Sequence, residues 1–508
     1  MRIRGVLVIC FVLLLTVVSA NAQSAAPSGE LVIALPNDPT SLFPPRAADV
    51  TASNAARSLF NSLVRLSATN EIVPDLAESW EISDDGMQYT FKLRQGVTFH
   101  NGEVFDADSV AATVQYSSDP SNDYAQDYAK VTDVSILDPY TVILRTAKPD
   151  PVFLTQMATN WAMFPPKYLS EVGIEGFEAA PVGTGPFRFV ERVAGDRIVM
   201  EANPDYWEAG LPKVAKLTFR IIPDSTTRIA AIQTGEVDIV SRLSADLTVL
   251  LEGNSAVQVI SYPNDRVYYA AFKNIGNGAG TPLEDVRVRR ALNLATNRQG
   301  IIDAIFGGKA SLVSGFVMST NLGFDASIQP FPYDPEAAKA LLAEAGYADG
   351  FAISMGCPTD AYLNINEVCL SIQRDFEAVG VDLTVEFKTS NSFWSQEAYG
   401  AVGPIFVDSW STSLGEAIDR LEGALIPGNY YTAWEDPELA ALIETISSTV
   451  DRDARAALYG DLQRKMMDDP PFIYLYQPFA FEAVSSRVTG YAPLPDESYS
   501  LTNVAVSG

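Results

Sequence analysis

The chain has 508 residues, 47% hydrophobic and 19% charged, which is the composition of a folded globular protein and excludes a disordered one. It exceeds the ~250–300 residues at which a single core stops growing, so two or three domains are expected. Asp and Glu number 63 against 35 Lys and Arg, a net charge of −28 that repels nucleic-acid phosphates and anionic lipid headgroups; with no basic stripe in the sequence, nucleic-acid binding is excluded.

The N-terminus reads as an export signal. Arg2 and Arg4 precede an apolar run, Gly5 to Val18, and Ala20-Asn21-Ala22 offers small residues for cleavage. The run is short for a membrane helix, which needs roughly 20 residues. Residues 1–22 are therefore expected to be a signal peptide, leaving a soluble mature chain. Its loss would remove Arg2 and Arg4 and one of the 3 cysteines, Cys10. Cys357 and Cys369 remain. An even pair in an exported chain reads as a disulfide between a strand end and the following helix; two buried free thiols are the alternative.

Further along, Leu31 to Leu35 is a short apolar strand, and Thr51 to Leu63 has helical spacing. Ser79 to Ser83 and Tyr89 to Leu93 flank Asp84-Asp85-Gly86, a hairpin signal. Asp106 or Asp108 caps a helix reaching Tyr116. Strand character returns over 131–148, and Pro165-Pro166 breaks the chain. Strands follow at 187–190, 217–222 and 237–240, with a helix from Ser225 to Thr234. From about Asp285 helices dominate. The clearest runs from Pro335 to Ala345, with Asp334 as N-cap and Gly346 just past its end. Phe351 to Met355, Val381 to Phe387 and Pro404 to Val407 read as strands, Asn364 to Val379 as a helix, and two helices close the pattern at 437–449 and 452–467. Strands alternating with helices imply an α/β protein.

Motifs for catalysis are missing. A lone histidine, His100, cannot build a multi-histidine metal site, and no G-x-S-x-G elbow accompanies it. The Phe99-His100-Asn101-Gly102 turn gives it a structural setting. Gly307-Gly308-Lys309-Ala310 lacks the rest of a Walker loop, and Gly183-Thr184-Gly185 lacks the third glycine of a dinucleotide fingerprint. No cofactor or metal is implied. The weight falls on binding. Trp410 follows an apolar strand and stands among Asp408, Ser409, Ser411, Thr412 and Ser413. An aromatic wall beside hydroxyls and one carboxylate suits a small polar ligand, while packing within its own domain is the alternative.

Several short motifs occur in a fixed order. They are Leu76-Ala77-Glu78-Ser79-Trp80, Tyr89-Thr90-Phe91, Phe99-His100-Asn101-Gly102-Glu103 and Phe105-Asp106-Ala107. Gly183-Thr184-Gly185-Pro186-Phe187, Asn203-Pro204-Asp205-Tyr206-Trp207, Gly235-Glu236-Val237-Asp238 and Val288-Arg289-Arg290-Ala291-Leu292 follow. With them the chain resembles the extracellular solute-binding proteins of the peptide, nickel and opine ABC importers, family 5.

The resemblance implies a two-lobed α/β periplasmic-binding-protein fold of the class II type with an additional strand-rich domain. Residues 23–68, 195–283 and 478–508 would form a discontinuous first lobe. Residues 69–194 would form the extra domain and 284–477 the second lobe. Crossovers are expected near Asn274 to Asp285 and Tyr474 to Pro478. The implied protein is no enzyme. It would be a periplasmic monomer that captures a peptide, opine or related solute by hinge closure and delivers it to a permease and its ATPase at the inner membrane. Trp410, Trp394 and Tyr269 would be aromatic walls, with Trp161 reaching in from the extra domain. Asp408 would meet a cationic group, and Asp360 and Tyr362 would be polar contacts. Packing within its own lobe is the alternative for each. Ser413 stands where peptide-binding relatives carry an aspartate, so a modified peptide, opine or sugar-bearing ligand is left open. A secreted hydrolase using His100, or a sensor without import, are the competing readings.

Overall fold

The computed structural model describes residues 26–47, 49–67, 71–359, 361–395, 400–412, 415–429 and 431–507. The expected signal peptide, Asp360 and Ser413 lie outside these residues.

A mixed sheet runs through two α/β halves. Its order is Val381–Lys388, Phe351–Pro358, Ile405–Ser411, Arg266–Phe272, Phe472–Ser485, Ile239–Val240, Glu30–Leu35, Lys216–Ile221, Arg197–Ala202, Phe187–Val193. In the N-terminal half, Glu30–Leu35 pairs in parallel with Lys216–Ile221 and Ile239–Val240. It is covered on both faces. Leu31, Ile33 and Leu35 enter one core with Phe219, while Ala34 enters another with Ile229, Ile232 and Phe481. That double burial explains its continuous apolar run. In the C-terminal half, Phe351–Pro358 pairs in parallel with Val381–Lys388 and Ile405–Ser411.

The 14-residue strand Phe472–Ser485 serves both halves. Its start pairs with Arg266–Phe272, from Phe472 opposite Ala271 to Tyr476 opposite Tyr268. Its end pairs with Val257–Pro263, from Phe479 opposite Pro263 to Ser485 opposite Val257. The backbone thus crosses between the halves side by side at 263–266 and 476–479. Asn264 N–H donates to Pro478 O at 3.2 Å, and Gln477 Nε2 donates to Asn264 O at 2.8 Å.

A separate antiparallel sheet has the order Ala77–Ile82, Gln88–Leu93, Thr141–Thr146, Val131–Asp138. Tyr89, Phe91 and Leu93 point into its core and Lys92 points out, the period-two pattern of a sheet wet on one side. Ile82 pairs with Tyr89 across the expected Asp84-Asp85-Gly86 turn, where Gly86 takes a left-handed φ of 68°.

The expected Pro165-Pro166 break falls between the helices Phe153–Asn160 and Pro166–Ala179; Pro166 opens the second, because a proline at the first helical position gives up no needed N–H. One local expectation changes. The strand after Pro404 runs on through Ser411, so Trp410 sits in a strand, not a loop. Arg266–Phe272 pairs along its whole length and extends it, with Val267 opposite Trp410.

Candidate functional site

A cleft partly open to solvent lies where the two halves and the segments flanking the extra sheet meet. One wall is the helix Val50–Leu59, capped by Asp49, whose side chain accepts from Ala52 N. Ser53, Ala56 and Arg57 recur at helical spacing and face the cleft. The 494–502 loop lies beside this helix. Asn54 fastens it, donating to Glu497 O and accepting from Tyr499 N, both at 2.9 Å. The opposite wall comes from the C-terminal half and includes Asp265, Thr320, Asn321, Thr412 and Gly415. Segments flanking the extra sheet add Asp75, Tyr124 and, from the helix Phe153–Asn160, Ala158.

Most charges lining the cleft are already satisfied. Arg65 makes two bonds to Glu208, at 3.0 and 3.3 Å. Asp75 accepts from Asn61 Nδ2 and Ser62 N, and burial pushes its carboxyl up to about 6. Asp265 holds Arg420 at 2.8 Å. Arg57 and Asp496 face each other more loosely, at 4.0 Å.

The motifs behind this wall pack on one another. Gly185 N–H donates to Leu59 O at 2.9 Å, at the end of the cleft helix. A Cβ on Gly183 would sit 2.1 Å from that same oxygen, so the close approach needs glycine. Asn203 Nδ2 donates to Gly185 O at 3.1 Å, and Trp207 lies 4.4 Å from the Arg94 guanidinium. His100 closes this cluster. Its Nδ1 accepts from Gly183 N at 3.2 Å and its Nε2 donates to Gly185 O at 3.0 Å. Both ring nitrogens are engaged by backbone, which leaves no free base for a nucleophile.

Burial holds the His100 pKa down to about 4, from 6.5. The unfolded imidazole takes a proton below 6.5, whereas the folded one refuses it until about 4. Stability is therefore expected to drop as pH falls through that window. Urea midpoints should show the stability difference between wild type and His100→Asn shrinking from pH 7 to pH 4. A constant difference would contradict this.

Among the sequence candidates, the structure brings three together. Asp408 accepts from Tyr362 Oη at 2.8 Å, Trp394 Nε1 at 3.1 Å and its neighbour Ser409 N at 2.7 Å. Burial pushes its carboxyl up. Arg266 donates to Ser409 Oγ at 2.7 Å and lies 5.9 Å from the Tyr362 ring. Trp410 packs on helix Ile418–Leu425, close enough that a Cβ on Gly423 would meet it at 2.1 Å, and Tyr431 approaches it edge-on. Tyr269 is 1% exposed, edge-on to Phe316 and Phe472. Trp161, also 1% exposed, stacks on Tyr128 at 4.2 Å. None of the described candidates lines the cleft. The lining residues Arg57 and Asp496 were missed, because a single charge in a helix or a Pro-rich loop carries no signal of what it faces.

Cys357 and Cys369 form a disulfide with Cα atoms 6.5 Å apart, joining Phe351–Pro358 to helix Ile365–Glu377. Among the described residues no group of three His, Cys, Asp or Glu is placed to hold a metal. No helix among them is long and apolar enough to cross a membrane.

The model for bacterial extracellular solute-binding proteins, family 5, matches residues 71–432. The chain belongs to this family. A glutathione-binding protein, GsiB, of Pectobacterium atrosepticum is 30% identical over 93% of this chain and 93% of its own. HbpA2 from Haemophilus parasuis has the same fold, with a TM-score of 0.86 and 26% identity, covering 94% of this chain and all of that one. CtaP from Listeria monocytogenes, an ABC transporter substrate-binding protein, superposes with a TM-score of 0.81 at 26% identity, over 94% and 99% of the two chains. This solute-binding protein is thus a non-catalytic, substrate-binding component of an ABC importer. Its two α/β halves and its extra antiparallel sheet are those of the class expected from sequence.

Proposed function

We propose that this protein captures a peptide-like solute in the cleft, outside the inner membrane, and closes over it for delivery to a permease and its ATPase. One observation carries the reading. The cleft is walled by both halves, yet among the described residues they are joined by two adjacent backbone crossings. A ligand touching both walls favours the shut form by its extra contacts there, so binding shifts the open–closed population. The similarity to glutathione-binding proteins supports a small peptide as the guest. Mixed polar and apolar lining suits the same class.

The moving bodies are proposed to be the N-terminal half with residues 478–508, the extra domain 69–194, and the C-terminal half. We place the first crossing at 263–266, ahead of the expected 274–285, because Arg266–Phe272 pairs with Ile405–Ser411. Residues 1–22 direct the chain to the periplasm in this reading. Trp410, Trp394, Tyr362 and Asp408 then form a buttress behind the C-terminal wall.

Ligand screening tests it. A true ligand at 100 times its Kd stabilises the fold by ~2.7 kcal/mol, read as a raised melting temperature. Small-angle scattering should show a smaller radius of gyration with that ligand. Neither change with any peptide, glutathione or opine would overturn the reading.

A further inference from the structure

We propose that Arg57 and Asp496 together hold a free α-amino-acid headgroup, the carboxylate on Arg57 and the ammonium on Asp496. The inference rests on the cleft being the ligand site, and it names the ligand's charged end.

Elimination leads to this pair. Arg57 and Arg65 are the cleft's cations among the described lining residues, and Asp75, Asp265 and Asp496 are its carboxylates. Arg65 is tied to Glu208, Asp75 to Asn61 and Ser62, and Asp265 to Arg420. What remains is Arg57 opposite Asp496. Their closest approach, Nη1 to Oδ2 at 4.0 Å, is too long for a hydrogen bond. Arg57 Nε is enclosed with no hydrogen-bond partner among the described residues. A guanidinium in that state has unspent donors in a fixed fork, the geometry that grips a carboxylate by two bonds.

Both groups are held from behind. Arg57 stands in the last turn of Val50–Leu59, with its side chain 29% exposed. Asp496, 19% exposed, uses Oδ1 to accept from Ser498 N and Oγ at 3.1 and 2.6 Å, so Oδ2 is left toward Arg57 and the cleft. Asn54, one turn before Arg57, fastens the same loop through Glu497 and Tyr499. Spacing between the two charges is therefore set by one helix and one bonded loop.

That spacing selects a chemistry. Opposite charges 4.0 Å apart match a ligand that carries carboxylate and ammonium on a single carbon. The two termini of an ordinary extended tripeptide lie roughly 10 Å apart and cannot meet both groups. A γ-glutamyl peptide can, because its side-chain linkage leaves the α-carboxylate and α-ammonium free. A neutral pair also suits a zwitterion, which brings no net charge into the cleft.

Isothermal titration of the full chain tests this with three probes: γ-Glu-Cys-Gly, its α-linked isomer, and N-acetylated γ-Glu-Cys-Gly. We expect the γ-linked form to bind at least tenfold more tightly than either of the others. Arg57→Gln should erase the preference over the α-linked isomer, and Asp496→Asn the preference over the acetylated form, with far-UV spectra and melting temperatures near wild type confirming the fold. Equal affinity for both isomers, or an unchanged preference in Arg57→Gln, would overturn the inference. Binding of ordinary dipeptides without binding of γ-Glu-Cys-Gly would overturn it while leaving the cleft reading intact. Silence from all tripeptides and dipeptides would remove both.

Discussion

Asp265→Ala is expected to destabilise the fold by about 3–5 kcal/mol, the cost of leaving a buried charge without its partner. Asp265 sits at the crossing between the halves, and its Oδ1 accepts from Arg420 Nη2 at 2.8 Å. Arg420 has 0% exposure, donates Nη1 to Phe316 O at 2.9 Å, and has no partner for Nε among the described residues. Without Asp265 the guanidinium would face the interior with one carbonyl to hold it. The intact pair is not itself a large net gain. Burial pushes the Asp265 carboxyl up even with Arg420 beside it, so desolvation outweighs attraction. A second substitution follows from that asymmetry. Asp265→Leu with Arg420→Met should recover most of the loss, since an apolar pair carries no desolvation cost. Urea denaturation of the single and double variants measures both. A loss under about 1 kcal/mol in Asp265→Ala would show that water reaches Arg420.

Removing the disulfide, by Cys357→Ala with Cys369→Ala, is expected to cost about 3 kcal/mol. The bridge spans 12 residues in sequence, and closing a short loop removes that much chain entropy from the unfolded state. Its position adds a local effect. The segment between the cysteines contains Tyr362, whose hydroxyl donates to Asp408. Freed from the bridge, the segment should exchange its amide protons faster, and the Asp408 environment should loosen with it. Denaturation midpoints of wild type with and without reductant, compared with the double variant, provide the check. Reduced wild type should match the variant. A loss below about 1 kcal/mol would mean that the helix and strand hold the segment without the bridge.

The sequence disclosed those parts of the fold whose causes are local. Asp334 accepts from Ala337 N and Pro335 opens its helix, as the residue types alone predict. Asp106 caps the helix Ala107–Ser117 in the same way. The long strand Phe472–Ser485 escaped, because it is covered on both sides and shows no alternation to read. Trp410 was misplaced into a loop for a related reason: its strand is extended by a partner some 140 residues away in the chain, Val267. The candidate site divides along the same line. Asp408, Trp394 and Tyr362 were each legible as unusual, but not that they bond to one another. Arg57 and Asp496 acquire meaning only when two distant segments are laid side by side, which no spacing rule reports.

Phe472–Ser485 also governs when the molecule becomes compact. Glu30–Leu35 and Arg266–Phe272 both precede it by some 200 residues or more, and the strand that lies between the two halves comes from the last tenth of the chain. Until it emerges, Val257–Pro263 and one edge of Arg266–Phe272 lack their neighbour, and the mixed sheet lacks the strand that joins its two parts. A chain leaving a ribosome or a translocation channel in order therefore cannot join its two halves through this strand until almost all of it has emerged.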